Sequence, residues 1–64
     1  MEKEIIVKAL ETYGGGFAQA LGAALARADS DNTRILIDAF SSKYPEYFAG
    51  GVFYAEVAEK KTAA

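Results

Sequence analysis

The large apolar residues of the N-terminal half recur at a helical spacing: Ile6, Leu10, Tyr13, Phe17, Leu21 and Leu25. At roughly 100° per residue these positions form one stripe along one side of a helix. Three consecutive glycines, Gly14, Gly15 and Gly16, stand in its middle. Each costs up to ~1 kcal/mol against alanine in a helix interior, so the triplet costs roughly 3 kcal/mol there. The stripe nevertheless keeps its phase across them. That favours one long helix, straight or bent at the glycines, over a first helix ending near Tyr13 and a second beginning at Gly16 or Phe17. Beside the large residues runs a second stripe of small ones, Gly14, Ala18, Gly22 and Ala26, each four apart. Small residues let two backbones approach, so this face is expected to receive another helix.

The flanking segments extend the helical reading. In the first, Glu4 and Lys8 are spaced i,i+4 with the acid toward the N-terminus, the favourable order. Ile5, Ile6, Ala9 and Leu10 supply its apolar side. Asp29-Ser30-Asp31-Asn32 ends the alanine- and leucine-rich segment and offers Asp31 or Ser30 as N-cap for a helix from about Asn32 to Ser42. Leu36, Phe40 and Tyr44 repeat every four residues there, with Ile35, Ile37 and Ala39 widening the apolar face. A joint this short implies antiparallel neighbours, a helical hairpin. Tyr44 before Pro45 is pushed toward extended geometry. Pro45-Glu46-Tyr47-Phe48-Ala49 then reads as a short helix that stops at Gly50-Gly51. Val52-Phe53-Tyr54 has strand propensity, but no second strand exists to pair with it. Residues 52–61 are therefore expected to form a weak last helix. The resulting division is one small helical domain over 1–61 and a frayed tail over 62–64.

A chain of 64 residues buries only about 60% of its unfolded surface and is marginal unless something helps it. It has no cysteine for a disulfide and no histidine for the usual zinc sites. Hydrophobic residues make up 52% of it, more than one thin core needs, which favours a homodimer. Seven Lys and Arg scattered among nine Asp and Glu give a net charge of -2 and no basic stripe, against direct nucleic-acid binding. The longest uncharged run, Thr12 to Ala26, is shorter than the ~20 residues a membrane span needs. The acidic start Met1-Glu2-Lys3-Glu4 does not suit a secretory leader, so a cytoplasmic location is expected.

No motif for chemistry stands out. Gly14-Gly15-Gly16 lacks the Lys-Ser/Thr of a phosphate loop and the spacing of a dinucleotide fingerprint. Asp29 to Thr33 begins like a calcium loop, but Arg34 stands where glycine is needed and Phe40 where glutamate is needed. Thr12, Ser30, Thr33, Ser41, Ser42 and Thr62 have no histidine base. No catalytic residue, metal ligand or cofactor is expected. The aromatic group Tyr44, Tyr47, Phe48, Phe53 and Tyr54 combines core with interface anchors, because tyrosine-rich clusters are typical of interfaces.

Thr12-Tyr13-Gly14-Gly15-Gly16-Phe17-Ala18-Gln19-Ala20-Leu21, then Ala28-Asp29-Ser30-Asp31-Asn32, then Ala39-Phe40 and Pro45-Glu46-Tyr47 form a recognisable series. It resembles small uncharacterised proteins of prophages and other bacterial mobile elements. In those, a Tyr-Gly-Gly segment precedes an Ala-Leu-rich helix, an Ala-Asp-x-x-Asn junction and an Ala-Phe-Pro-Glu end. The likeness covers roughly Leu10 to Phe48 and is broken at Ser41 to Tyr44, which separate Ala39-Phe40 from Pro45. The resemblance implies a phage-like origin and no particular activity.

The expectation is an all-α protein: an antiparallel helical hairpin with a long or Gly-bent first helix, a short C-terminal helix, and dimerisation into a bundle. The interface candidates are Gly14, Ala18, Gly22, Ala26, Tyr47, Phe48, Phe53 and Tyr54. The expected role is a non-enzymatic interaction module that binds its own copy or a phage or host protein. The alternative is an inhibitor or decoy that blocks a host or rival-phage nucleoprotein machine.

Overall fold

The computed structural model describes residues 2–63, with side chains from residue 3 to residue 60. Four α-helices and one 3₁₀ turn follow one another: α1 Glu2–Tyr13, α2 Gly16–Arg27, α3 Ser30–Phe40, the 3₁₀ turn Pro45–Tyr47, and α4 Val52–Ala63. Among the described residues there is no strand, and no helix is long and apolar enough to cross a membrane.

The single long first helix is not what forms. The chain leaves the helix after Tyr13 and starts another at Gly16. The Gly14 amide still donates to Leu10 O at 3.1 Å, closing α1, and Gln19 N donates to Gly15 O at 2.9 Å, opening α2. Between them the backbone turns so tightly that a Cβ on Gly14 would collide with the Ala18 Cβ and stand 2.6 Å from Leu10 O. Only glycine fits at that close approach. The reversal lays α2 antiparallel along α1: Leu10 lies against Gly22, and Lys3 Nζ donates to Ala28 O at 2.6 Å at the far end. That ammonium meets the unsatisfied carbonyl end of α2, where a cation is favoured.

The physical reason is burial. A straight 20-residue helix would leave its stripe in water unless a partner arrived, and helices draw most of their stability from such packing. Folded on itself, the stripe closes a core in which Ile6, Ala9 and Leu10 of α1 meet Leu21 and Leu25 of α2. Tyr47, Phe48 and Val57 complete it. Removing an apolar side chain from water is worth about 1.5–3 kcal/mol. A handful of such residues outweighs the cost of the turn.

The junction caps α3 one residue earlier than Ser30, and two earlier than Asp31, would. Asp29 is the N-cap, its Oδ1 accepting from Asn32 N at 2.9 Å, so the helix runs Ser30–Phe40 rather than Asn32–Ser42. A carboxylate there is worth about 1 kcal/mol. At the other end, Phe17 of α2 stands 5.8 Å from Phe40 and 6.0 Å from Tyr44, ring centre to ring centre. Pro45 starts a 3₁₀ turn rather than a longer helix. Gly50 at φ 89°, followed by Gly51 packed on the backbone of Pro45 and Glu46, then redirects the chain into α4. A residue with a Cβ is strained at that φ and excluded at that contact. The last helix extends through Ala63, so two of the three residues expected as a frayed tail are helical; Ala64 lies outside the described residues. Tyr13 and Phe53 stack at 4.6 Å with rings 9° apart, pinning α4 to the end of α1.

Candidate interaction site

The small-residue stripe folds inward rather than outward. Gly22 is buried: a Cβ there would meet Leu10 Cβ at 3.2 Å and Val7 O at 3.4 Å, so α1 occupies this face. Ala18 is half-buried on the same side, and Gly14 is in the turn rather than on a helix. Ala26 alone of the four is exposed on a helix, beside Lys3 and Val7. Close approach of two backbones through glycine is therefore present, with both helices supplied by one chain.

The aromatic candidates divide. Tyr47 and Phe48 are buried in the core, while Phe53 and Tyr54 are half-buried on α4. The Tyr47 and Phe53 rings lie 5.4 Å apart, so with Tyr13 they form one continuous group between α1, the 3₁₀ turn and α4. Their first role is to close the fold. A second aromatic group, Phe17, Phe40 and Tyr44, joins α2 to the end of α3.

The uncovered apolar surface is elsewhere. Phe17 is 57% exposed, Ile35 59% and Val52 62%. No residue of α3 is buried, although Leu36, Ile37 and Phe40 pack in part against the core. Around Ile35 the exposed side of α3 carries both signs of charge, with Arg34 Nη2 3.9 Å from Asp31 Oδ1 and Asp38 exposed nearby in sequence. Neither Phe17 nor Ile35 stood out as an interface residue in the sequence, because both sit on or beside apolar stripes that read as core. The available signal was Ile35 itself, which falls outside the four-residue repeat of Leu36, Phe40 and Tyr44.

Beside the glycine turn lies a cavity of about 350 Å³, lined by Leu10, Gly15, Gly16, Phe17, Tyr44 and Tyr47. Among the described residues no three acidic side chains gather as a metal site would require. Compared with known proteins, the chain matches no family model, no curated protein and no solved structure.

Proposed function

We propose that this chain is a small non-enzymatic protein-interaction module of mobile-element type whose first partner is its own copy. The observation that carries the reading is α3, an amphipathic helix with no buried residue and with Ile35 turned to solvent. A helix that gains so little from its own chain has apolar surface left for another. The reading moves the contact away from the Gly14, Ala18, Gly22, Ala26 stripe, whose Gly22 already lies against α1, to α3 and the adjoining Phe17 edge of α2. In it, α2 and α3 act as the antiparallel hairpin, and a second copy completes a four-helix arrangement about a two-fold axis. Arg34 flanked by Asp31 and Asp38 suits such an isologous contact, since each copy offers both signs of charge to the other.

Sedimentation velocity over a hundredfold dilution tests it. A dimer that dissociates on dilution is expected, with Ile35→Lys monomeric throughout and still helical by circular dichroism. A wild-type chain that sediments as a monomer at every concentration overturns the reading.

A further inference from the structure

Among the described residues the first amides of α2 have no acceptor. Gly16, Phe17 and Ala18 open the helix, and the first N–H groups of any helix lack an intrahelical partner. The N-cap is Gly15, which has no side chain to offer them. The Gln19 side chain does not cap them, its Nε2 donating instead to Gly14 O at 3.1 Å. Among the described residues no backbone or side-chain group accepts from these three amides.

Tyr47, which lines a cavity together with these residues, carries a second donor. Tyr47 is 8% exposed, yet its hydroxyl makes no hydrogen bond among the described residues. That hydroxyl lies at the glycine turn, 3.4 Å from where a Cβ on Gly14 would be. Among the described residues no fully buried side-chain oxygen or nitrogen lacks a partner, so this one reaches open space. The space is the cavity that Tyr47 lines together with Gly15, Gly16, Phe17 and Tyr44.

The glycines themselves are a third observation. A Cβ built on Gly15 or Gly16 would meet nothing within 4 Å, and neither residue has a positive φ. The fold therefore has no steric need for glycine at either position. Bare backbone at a helix start does leave the amides open to close approach by a ligand.

We infer that this cavity binds a carboxylate carried on an apolar group. The carboxylate oxygens accept from the amides of Gly16, Phe17 and Ala18 and from the Tyr47 hydroxyl, while Leu10, Phe17 and Tyr44 cover the apolar part. The lining contains no Lys or Arg. The negative charge is met by the helix N-terminus and neutral donors alone, which suits a singly charged carboxylate better than a doubly charged phosphate. A volume of about 350 Å³ is at the small end of ligand sites, which suits a small ligand. The same chemistry is offered by a free aryl or alkyl carboxylic acid and by the C-terminal residue of a polypeptide ending in an apolar side chain. The site includes no residue of α3 and shares only Phe17 with the proposed self-association surface.

The test follows the amide resonances of Gly16, Phe17 and Ala18 in the full ¹⁵N-labelled chain. The titrants are 3-phenylpropionate, 3-phenylpropionamide, and a short peptide ending in leucine with a free or an amidated C-terminus. Saturable shifts are expected with the carboxylates and none with the amides. Tyr47→Phe keeps the buried ring and is expected to weaken binding about tenfold. Gly15→Asp places a capping carboxylate on the same amides, so it is expected to raise the melting temperature and abolish binding. Tighter binding of the free-ended peptide assigns the ligand to a polypeptide terminus; tighter binding of phenylpropionate assigns it to a small acid. Absence of saturable shifts up to about 10 mM carboxylate, equal shifts with the amides, or undiminished binding by Gly15→Asp each overturns the inference.

Discussion

The contact of α1 with α2 and that of α2 with α3 draw on similar residues and reach different results. Across the first, Ile6, Ala9, Leu10, Leu21 and Leu25 are all buried. Across the second, Leu36, Ile37 and Phe40 are only partly covered, and nothing on α3 is buried. Composition does not separate them, since α3 has its own leucine, isoleucines and phenylalanine. What differs is how near the backbones come. Gly22 lets the Leu10 side chain lie directly on the α2 backbone. The second pair meets at one end through Phe17, Phe40 and the following Tyr44, whose ring centres stand 5.8 to 6.2 Å from one another. Bulky rings at a contact set a larger separation, and the apolar residues behind them stay half open. The close contact at Gly22 belongs to the pair that supplies most of the buried core.

The largest effect that tests this contrast comes from leucines. Leu10→Ala removes a side chain that is 1% exposed and is expected to cost 2–5 kcal/mol, roughly the range for fully buried leucines. Leu36→Ala, on α3, is expected to cost less than half as much because that side chain is already partly in water. Urea denaturation of both variants checks the pair. Equal losses would mean that α3 is packed as firmly as α1, and the surface assigned to a partner would then be closed. Hydrogen exchange should agree, with α3 amides exchanging before those of α1 and α2.

A smaller but more specific effect is expected at the glycine between the helices. Gly22→Leu forces a branched side chain into a space where even a Cβ stands 3.2 Å from Leu10 Cβ, and overpacking of this kind costs about 1–3 kcal/mol. Its value lies in concentration dependence. If Gly22 faces α1 of the same chain, the destabilisation is the same at every protein concentration. If Gly22 faces a second copy, the variant loses assembly first, and the loss shrinks on dilution as the wild type dissociates too.

Much of the architecture was legible in the sequence because helical spacing is a local signal. The helical class, a helical start at Pro45 and the final helix all follow from residues within a few positions of one another, although the segment at Pro45 is a 3₁₀ turn that ends at Tyr47 rather than a helix reaching Ala49. The break after Tyr13 did not, and the reason is physical. Preserved phase points to continuity, yet two helices folded face to face also need their stripes on one core. Phase alone cannot separate the two arrangements; the close approach of Gly14 to Ala18 and Leu10 O does, and it exists only once the chain has turned. The small-residue stripe was legible as a close-packing face, but whether α1 or another molecule fills it depends on that same turn. Of the candidate site, the aromatics were visible and their sharing of one cavity with the α2 amides was not. Tyr47 is thirty-one residues from Gly16 in sequence and meets it only in the folded chain.

The smallest expected effect is the most discriminating for the turn itself. Gly15 is the N-cap of α2, at φ -81° and ψ -160°, a conformation alanine adopts without strain. Replacing it with alanine restricts the unfolded chain, a gain of about 0.4–1 kcal/mol. It also trades a favourable N-cap residue for a poor one, a loss of similar size. With open space around the new methyl group, no packing term tips the balance, and the melting temperature should stay within a few degrees of wild type. In one continuous helix the same change would fall in the interior and stabilise by about 1 kcal/mol through propensity alone. A loss above that size would instead demand a left-handed glycine at the turn. Near-zero change, read beside a large loss for Gly22→Leu, is the pattern that only a two-helix reversal produces.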